Sequence, residues 1–158
     1  MNGISTFLWF DDQALEAAQH YVSIFPNSRI LGDAAYAENT PGEAGTVMTV
    51  SFQIDGRDFT ALNGGPLYRF TPAISFPVSC ADQAEVDYFW ERLTEGGGEG
   101  GQCGWLTDRF GVSWQVVPEA LFGYIGGPDP DGAARAMQAM LGMGKLDIEV
   151  LRTAYEGS

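Results

Sequence analysis

Two stretches of this chain, seventy positions apart, carry the same triplet in the same setting: Asp12-Gln13-Ala14 and Asp82-Gln83-Ala84. The apolar run Ile4-Ser5-Thr6-Phe7-Leu8-Trp9-Phe10 precedes the first, Ala73-Ile74-Ser75-Phe76-Pro77-Val78 precedes the second, and Ser5 and Ser75 fall in register. Three shared residues are weak evidence alone. A shared order of strand and helix signals around them is the mark of an internal repeat, so the chain reads as two related halves.

The elements follow from periodicity. After the first strand, Asp11 or Asp12 is placed to cap a helix whose apolar positions Leu15, Ala18, Tyr21, Val22 and Phe25 recur at helical spacing. Pro26-Asn27-Ser28 ends it. Residues 29–37 read as a strand, residues 46–54 alternate as a half-buried strand, and Asp55-Gly56 supplies a hairpin turn into a partner over 58–62. The second half repeats the plan, with a helix over 82–94 bearing Val86, Phe89, Trp90 and Leu93. A hairpin of 103–106 with 113–117 follows. Only about twenty residues separate Gly98 from Val117, against about thirty-five for the matching meander of the first half, so one strand there is short or missing. Beyond Pro118, helical patterns over 133–141 and 146–155 form a tail whose Ala136, Met137, Met140, Met143, Ile148, Leu151 and Tyr155 must pack on the sheet or on another subunit.

Length suits one domain over residues 1–158: a first module (1–66), a shortened second module (67–118) and a helical tail (119–158). The net charge of −13, with 8 Lys and Arg against 21 Asp and Glu, argues against nucleic acid and against anionic membranes. No stretch approaches the roughly 20 apolar residues that span a bilayer, and no secretory pattern opens the sequence, so the expected location is the cytoplasm. Cys80 and Cys103 lack the spacing of a metal knuckle or a redox pair and read as reduced thiols.

Several runs resemble one family: Phe7-Leu8-Trp9-Phe10-Asp11, Tyr21-Val22-Ser23-Ile24-Phe25-Pro26-Asn27-Ser28, Ala61-Leu62-Asn63-Gly64-Gly65-Pro66, Gln102-Cys103-Gly104-Trp105-Leu106 and Gly111-Val112-Ser113-Trp114-Gln115-Val116-Val117-Pro118. With the Met137-Gln138-Ala139-Met140 tail, they make the chain similar, over nearly its whole length, to the PhnB-like proteins, which often carry the label 3-demethylubiquinone-9 3-methyltransferase. That group belongs to the vicinal oxygen chelate superfamily of glyoxalases, bleomycin-resistance proteins and dioxygenases. The resemblance implies an α+β fold of paired βαβββ modules, here with an abbreviated second module and a helical tail. It also implies a sheet cavity and a homodimer.

In catalytic members of that superfamily a divalent metal is held by His, Glu or Gln from the first and last strands of each module. The matching positions here are Ser5, Ser75 and, most nearly, Asn63 and Gln115. Neutral hydroxyls and amides are poor ligands for zinc, iron or manganese, so no tightly held metal and no other cofactor is expected. His20 reads as a solvated helix residue outside the cavity. The helix carboxylates Glu16, Glu85, Asp87, Glu91 and Glu95 read as a solvated face. No strand-to-helix turn has the glycine pattern of an S-adenosylmethionine site.

What remains is a pocket. Strand alternation puts Ser5, Phe7 and Trp9 on one side of the first strand, Ser75 and Pro77 on the equivalent side of the fifth, Cys103 and Trp105 on a shared face, and Gln115 on the last strand. With Asn63, these make a candidate site for a small apolar or aromatic molecule, with Trp9, Trp105 and Trp114 equally readable as core. The alternatives are a metal-dependent lyase or dioxygenase using Gln115, the methyltransferase of the family label, and a structural or interaction protein whose cavity is filled. Whether any reaction is catalysed stays open at this stage.

Overall fold

The computed structural model describes residues 3–157. They form two compact units that divide between Phe70 and Thr71.

In the first unit β1 (Thr6–Phe10), α1 (Ala14–Ile24), β2 (Arg29–Ala35), β3 (Val47–Ile54) and β4 (Arg57–Asn63) build a sheet of order β1-β4-β3-β2. β1 runs parallel to β4, and the meander β2, β3, β4 is antiparallel. The hairpin turn at Asp55 and Gly56 has φ of 48° and 71°, the doubly left-handed backbone of a two-residue type I′ turn. One face of the sheet is covered. Ala14, Ala17, Ala18, Tyr21 and Ile24 of α1 are buried over Val50, Phe52, Phe59 and Ala61, and the Tyr21 ring stacks on Phe52, which stacks on Phe59. That alternation leaves Phe7, Trp9, Thr49, Ser51, Thr60 and Leu62 on the opposite, open face.

Two readings of this unit change. Neither Asp11 nor Asp12 caps α1: the helix starts after Gln13, whose side chain makes no capping bond, and the Ala14 N–H donates to Asn63 Oδ1 at 2.8 Å. His20 is not solvated. It sits one turn from Ala17 and Ile24 on the inner face of α1 and is only 8% exposed.

The second unit repeats the topology. β5 (Phe76–Cys80), α2 (Gln83–Thr94), β6 (Glu99–Gly100), β7 (Trp105–Thr107) and β8 (Ser113–Pro118) give the order β5-β8-β7-β6, with β5 parallel to β8. β1 and β5 lie seventy residues apart at both ends. The shortened meander is explained by β6 and β7, of two and three residues, against seven and eight for β2 and β3. Asp82 caps α2 by accepting from the Glu85 N–H at 2.9 Å, while Glu85 Oε2 accepts from the Ala81 N–H at 2.8 Å. Val86, Phe89 and Leu93 of α2 are buried, as are Leu106, Trp114 and Val116 on the covered face of the sheet.

The tail holds three helices: α3 (Ala120–Ile125), α4 (Pro130–Leu141) and α5 (Ile148–Glu156). α4 starts three residues earlier than its periodicity predicts, because Asp129 caps it and Pro130 occupies the first turn, where a missing N–H costs nothing. Part of the apolar surface of the tail is used within the chain, while Phe122, Leu141 and Val150 stay exposed. Leu121, Leu146 and Leu151 form a buried cluster joined by Val117 of β8, Tyr124, Met140 and Met143. Gln83 fastens it: Nε2 donates to the Leu146 carbonyl at 3.1 Å and Oε1 accepts from the Ile148 N–H at 2.9 Å.

Candidate functional site

On the open face of the first sheet the structure places Phe7, 62% exposed, and Trp9, half-buried, with Ser5 exposed just ahead of β1. Trp9 is fixed in orientation. Its Nε1 donates to the Gly65 carbonyl at 2.9 Å, and its ring meets Tyr68 edge-on at 5.0 Å. The glycine pair after β4 exists for this ring: a Cβ on Gly64 would lie 2.3 Å from the indole, and Gly65 has a φ of +86°.

Asn63 is not on that face. It shares the parity of Phe59 and Ala61, which are buried under α1, and its side chain is consumed there. Oδ1 accepts from Ala14, Nδ2 donates to the Val47 carbonyl at 3.0 Å, and its own carbonyl accepts from the Tyr36 hydroxyl. Asn63 is a structural clamp. Strand pairing makes Thr60 the counterpart of Gln115: Thr60 pairs with Phe7, and Gln115 pairs with Pro77, seventy residues on.

In the second sheet, Gln115 and Trp105 face each other across β8 and β7, both half-buried on the open face, and Gln115 Nε2 donates to Ser75 Oγ at 2.9 Å. Cys103 does not share their strand. It precedes β7 in a turn with φ of 56°, and its N–H is taken by the Met143 carbonyl at 2.8 Å. The tail therefore sets that backbone, and the thiol lies outside the alternation from which it was placed. Trp114 is core: it is 3% exposed and its Nε1 donates to Asp108 Oδ2 at 2.8 Å. The structure thus groups Ser5, Phe7 and Trp9 on one sheet face and Ser75, Trp105 and Gln115 on the other, and sets Asn63 and Cys103 apart.

Sequence reasoning passed over three residues of the second face. Glu99 pairs with Thr107, and Thr107 with Ser113, so these side chains lie in one row beside Trp105 and Gln115. Together with Trp105, Leu106 and Pro72 they line an open cavity of about 250 Å³. Alternation from Trp105 and Gln115 would have found Thr107 and Ser113; Glu99 was hidden in a glycine run read as a turn.

The donor set does not fit a divalent metal. The first and last strands, with the residues just ahead of β1 and β5, present Ser5, Phe7, Trp9, Asp58, Thr60, Ser75, Pro77 and Gln115, and among the described residues no three His, Cys, Asp or Glu side chains converge. Nor does the chain fit S-adenosylmethionine held at a glycine-rich turn. The strand-to-helix turns here are Asp11-Asp12-Gln13 and Ala81-Asp82, and neither holds a glycine.

Residues 2–117 match the family model described as 3-demethylubiquinone-9 3-methyltransferase. The helical tail lies beyond the matched residues, so the resemblance is carried by the two sheets and their helices and does not extend to Met137-Gln138-Ala139-Met140. A PhnB protein from Bacillus cereus is similar at 34% identity and a TM-score of 0.67, covering 74% of this chain and 99% of that one. A protein from Pseudomonas aeruginosa shares the fold at 21% identity and a TM-score of 0.61, over 75% of this chain and 98% of its own. So does the fosfomycin resistance protein FosX from Listeria monocytogenes, solved with Mn(II), at 18% identity and a TM-score of 0.50, over 73% and 91%. No curated protein matches the chain.

Proposed function

The chain belongs to the family described as 3-demethylubiquinone-9 3-methyltransferase, within the vicinal oxygen chelate superfamily, and from that premise we propose that it binds a small, partly aromatic molecule on its open sheet faces without a tightly held metal. The observation that carries this reading is the pairing of half-buried indoles with neutral hydrogen-bonding groups where catalytic relatives need metal ligands. On the first sheet Thr60 pairs with Phe7, two residues from Trp9 on the same face; on the second, Trp105 pairs with Gln115, whose amide bonds Ser75. Such groups orient a ligand through stacking and a few directed bonds. They do not supply the Lewis acid that polarises vicinal oxygens.

The test joins two measurements on tag-free protein. Metal content is determined after incubation with zinc, iron(II), manganese and nickel and desalting, and thermal shifts are recorded against a panel of small aromatic compounds. The reading expects no retained metal and a dose-dependent rise in melting temperature. A ligand at one hundred times its Kd adds about 2.7 kcal/mol, which is about 5–10 °C for a chain of this size. Near one metal per chain, lost in Gln115→Ala, overturns it in favour of metal-dependent chemistry.

The same reading takes the protein as a homodimer, supported by the exposed apolar side chains Ile4, Leu67 and Ile74. Light scattering that returns 17.1 kDa across a dilution series, rather than twice that mass, counts against it.

A further inference from the structure

The cavity on the open face of the second sheet has a chemical character of its own. Its lining combines one carboxylate, Glu99, one indole, Trp105, and two hydroxyls, Thr107 and Ser113. Ser113 is the telling member. It is only 3% exposed, it lines the cavity, and among the described residues nothing hydrogen-bonds its side chain. Its oxygen keeps access to solvent, so it is available to bond a group that enters the cavity. Thr107 and Glu99 likewise have no hydrogen-bonding or ionic partner for their side chains among the described residues.

We infer that this cavity is a subsite for a small organic cation, an ammonium group carried on an apolar or aromatic stem and bearing or adjoining a hydrogen-bond acceptor. The inference rests on the binding reading above and names the ligand class for the second sheet. Each lining group has its part. Glu99 supplies the counter-charge. Trp105 offers an aromatic surface, which attracts ammonium groups through its quadrupole and packs against an apolar stem. Ser113 and Thr107 donate to the acceptor. An apolar cavity of about 150 Å³ holds benzene, so 250 Å³ suits a single ring with a short charged arm. The arrangement also discriminates, because an anion of the same shape would meet Glu99 with no basic residue among the lining groups to offset it.

Calorimetric titration of the full chain with benzyltrimethylammonium, benzylammonium, benzyl alcohol and benzoate tests this, with Glu99→Gln and Trp105→Ala beside the parent. Glu99→Gln keeps the shape of an exposed side chain on a two-residue edge strand, and circular dichroism checks its fold. The expected result is saturable binding of both cations, at least tenfold tighter than benzyl alcohol and with benzoate silent, falling about tenfold or more in Glu99→Gln. Equal cation binding by parent and Glu99→Gln would mean that the overall charge of −13 attracts the probe, and overturns the inference. Binding of benzyl alcohol as tight as that of the cations, weakened in Trp105→Ala, overturns the charge assignment while leaving the aromatic binding reading intact. Silence of all four probes removes both for this face.

Discussion

Asn63 reaches from the end of β4 to the first N–H of α1, its Oδ1 accepting from Ala14 at 2.8 Å across 49 residues of sequence. The helix has no cap of its own, so the last strand of the module provides one, and the same amide ties β3 through the Val47 carbonyl. One side chain thus ties α1 and β3 to the end of β4. Asn63→Ala should cost about 1–3 kcal/mol, a lost cap plus an unbonded carbonyl. Asn63→Asp, which keeps the acceptor and loses the donor, should cost less. Urea unfolding of the two variants checks the order; equal costs would assign the stability to the Val47 bond alone.

Asp108 does comparable work in the second unit. The carboxylate is 3% exposed; Oδ1 accepts from the N–H groups of Phe110 and Val112 at 2.9 and 3.0 Å, and Oδ2 from the Trp114 indole. It shapes the turn between β7 and β8 and anchors the ring beneath Gln115. Asp108→Ala withdraws the acceptor from three donors and should cost about 3 kcal/mol or more, since each buried donor left without its partner costs about 1–3 kcal/mol. Asp108→Asn should fall well short of that. Chemical unfolding followed by tryptophan fluorescence measures both, and a loss below about 1 kcal/mol for the alanine variant would show that the turn holds by other means.

The architecture was legible because both modules advertise it by alternation. Counting from Trp9 and Gln115 gave the open faces correctly, and the seventy-residue spacing of β1 and β5 follows from Ser5 and Ser75. Asn63 could have been placed by the same count, two residues from Ala61 and four from Phe59. Its position beside a glycine loop drew it instead into the pocket. His20 was recoverable too: Ala17, His20, Tyr21 and Ile24 share one helical face. Cys103 was not recoverable. Its left-handed backbone is held by Met143, forty residues away, and no local pattern announces a contact with the tail. Glu99 and α3 escaped for want of length, since two residues of strand or six of helix carry no usable period.

The repeated triplet itself has diverged in use. Gln13 precedes α1 without a capping bond, while Gln83 bridges to both Leu146 and Ile148 and pins the start of α5 to α2. Gln83→Ala should release that junction at a cost of about 1–2 kcal/mol for its two lost bonds, the amide's third bond, to exposed Asp87, adding little. The exposed ion pair of Lys145 with Asp87 nearby contributes little. Hydrogen exchange is the direct readout: the Ile148 amide should exchange at least tenfold faster in the variant, and unchanged protection there would mean that the Leu146 and Leu151 cluster alone holds the tail.

The two thiols should separate by reactivity. Burial pushes the Cys80 thiol up to about 11, with the Glu85 carboxylate adding to the shift. At pH 8 about 0.1% of it is thiolate, and it is fully buried. Cys103 is half-buried in its turn. A disulfide reagent at pH 8 should therefore titrate one thiol per native chain within minutes and the second only in denaturant. The same shift makes stability depend on pH. An unfolded cysteine loses its proton near 8.5, while native Cys80 holds it to about 11, so across that window the unfolded state binds fewer protons and stability falls as pH rises. Below the window the contribution is constant. Urea midpoints measured from pH 8 to 11 should decline more steeply for the parent than for Cys80→Ala, and parallel declines would place the lost stability on other groups.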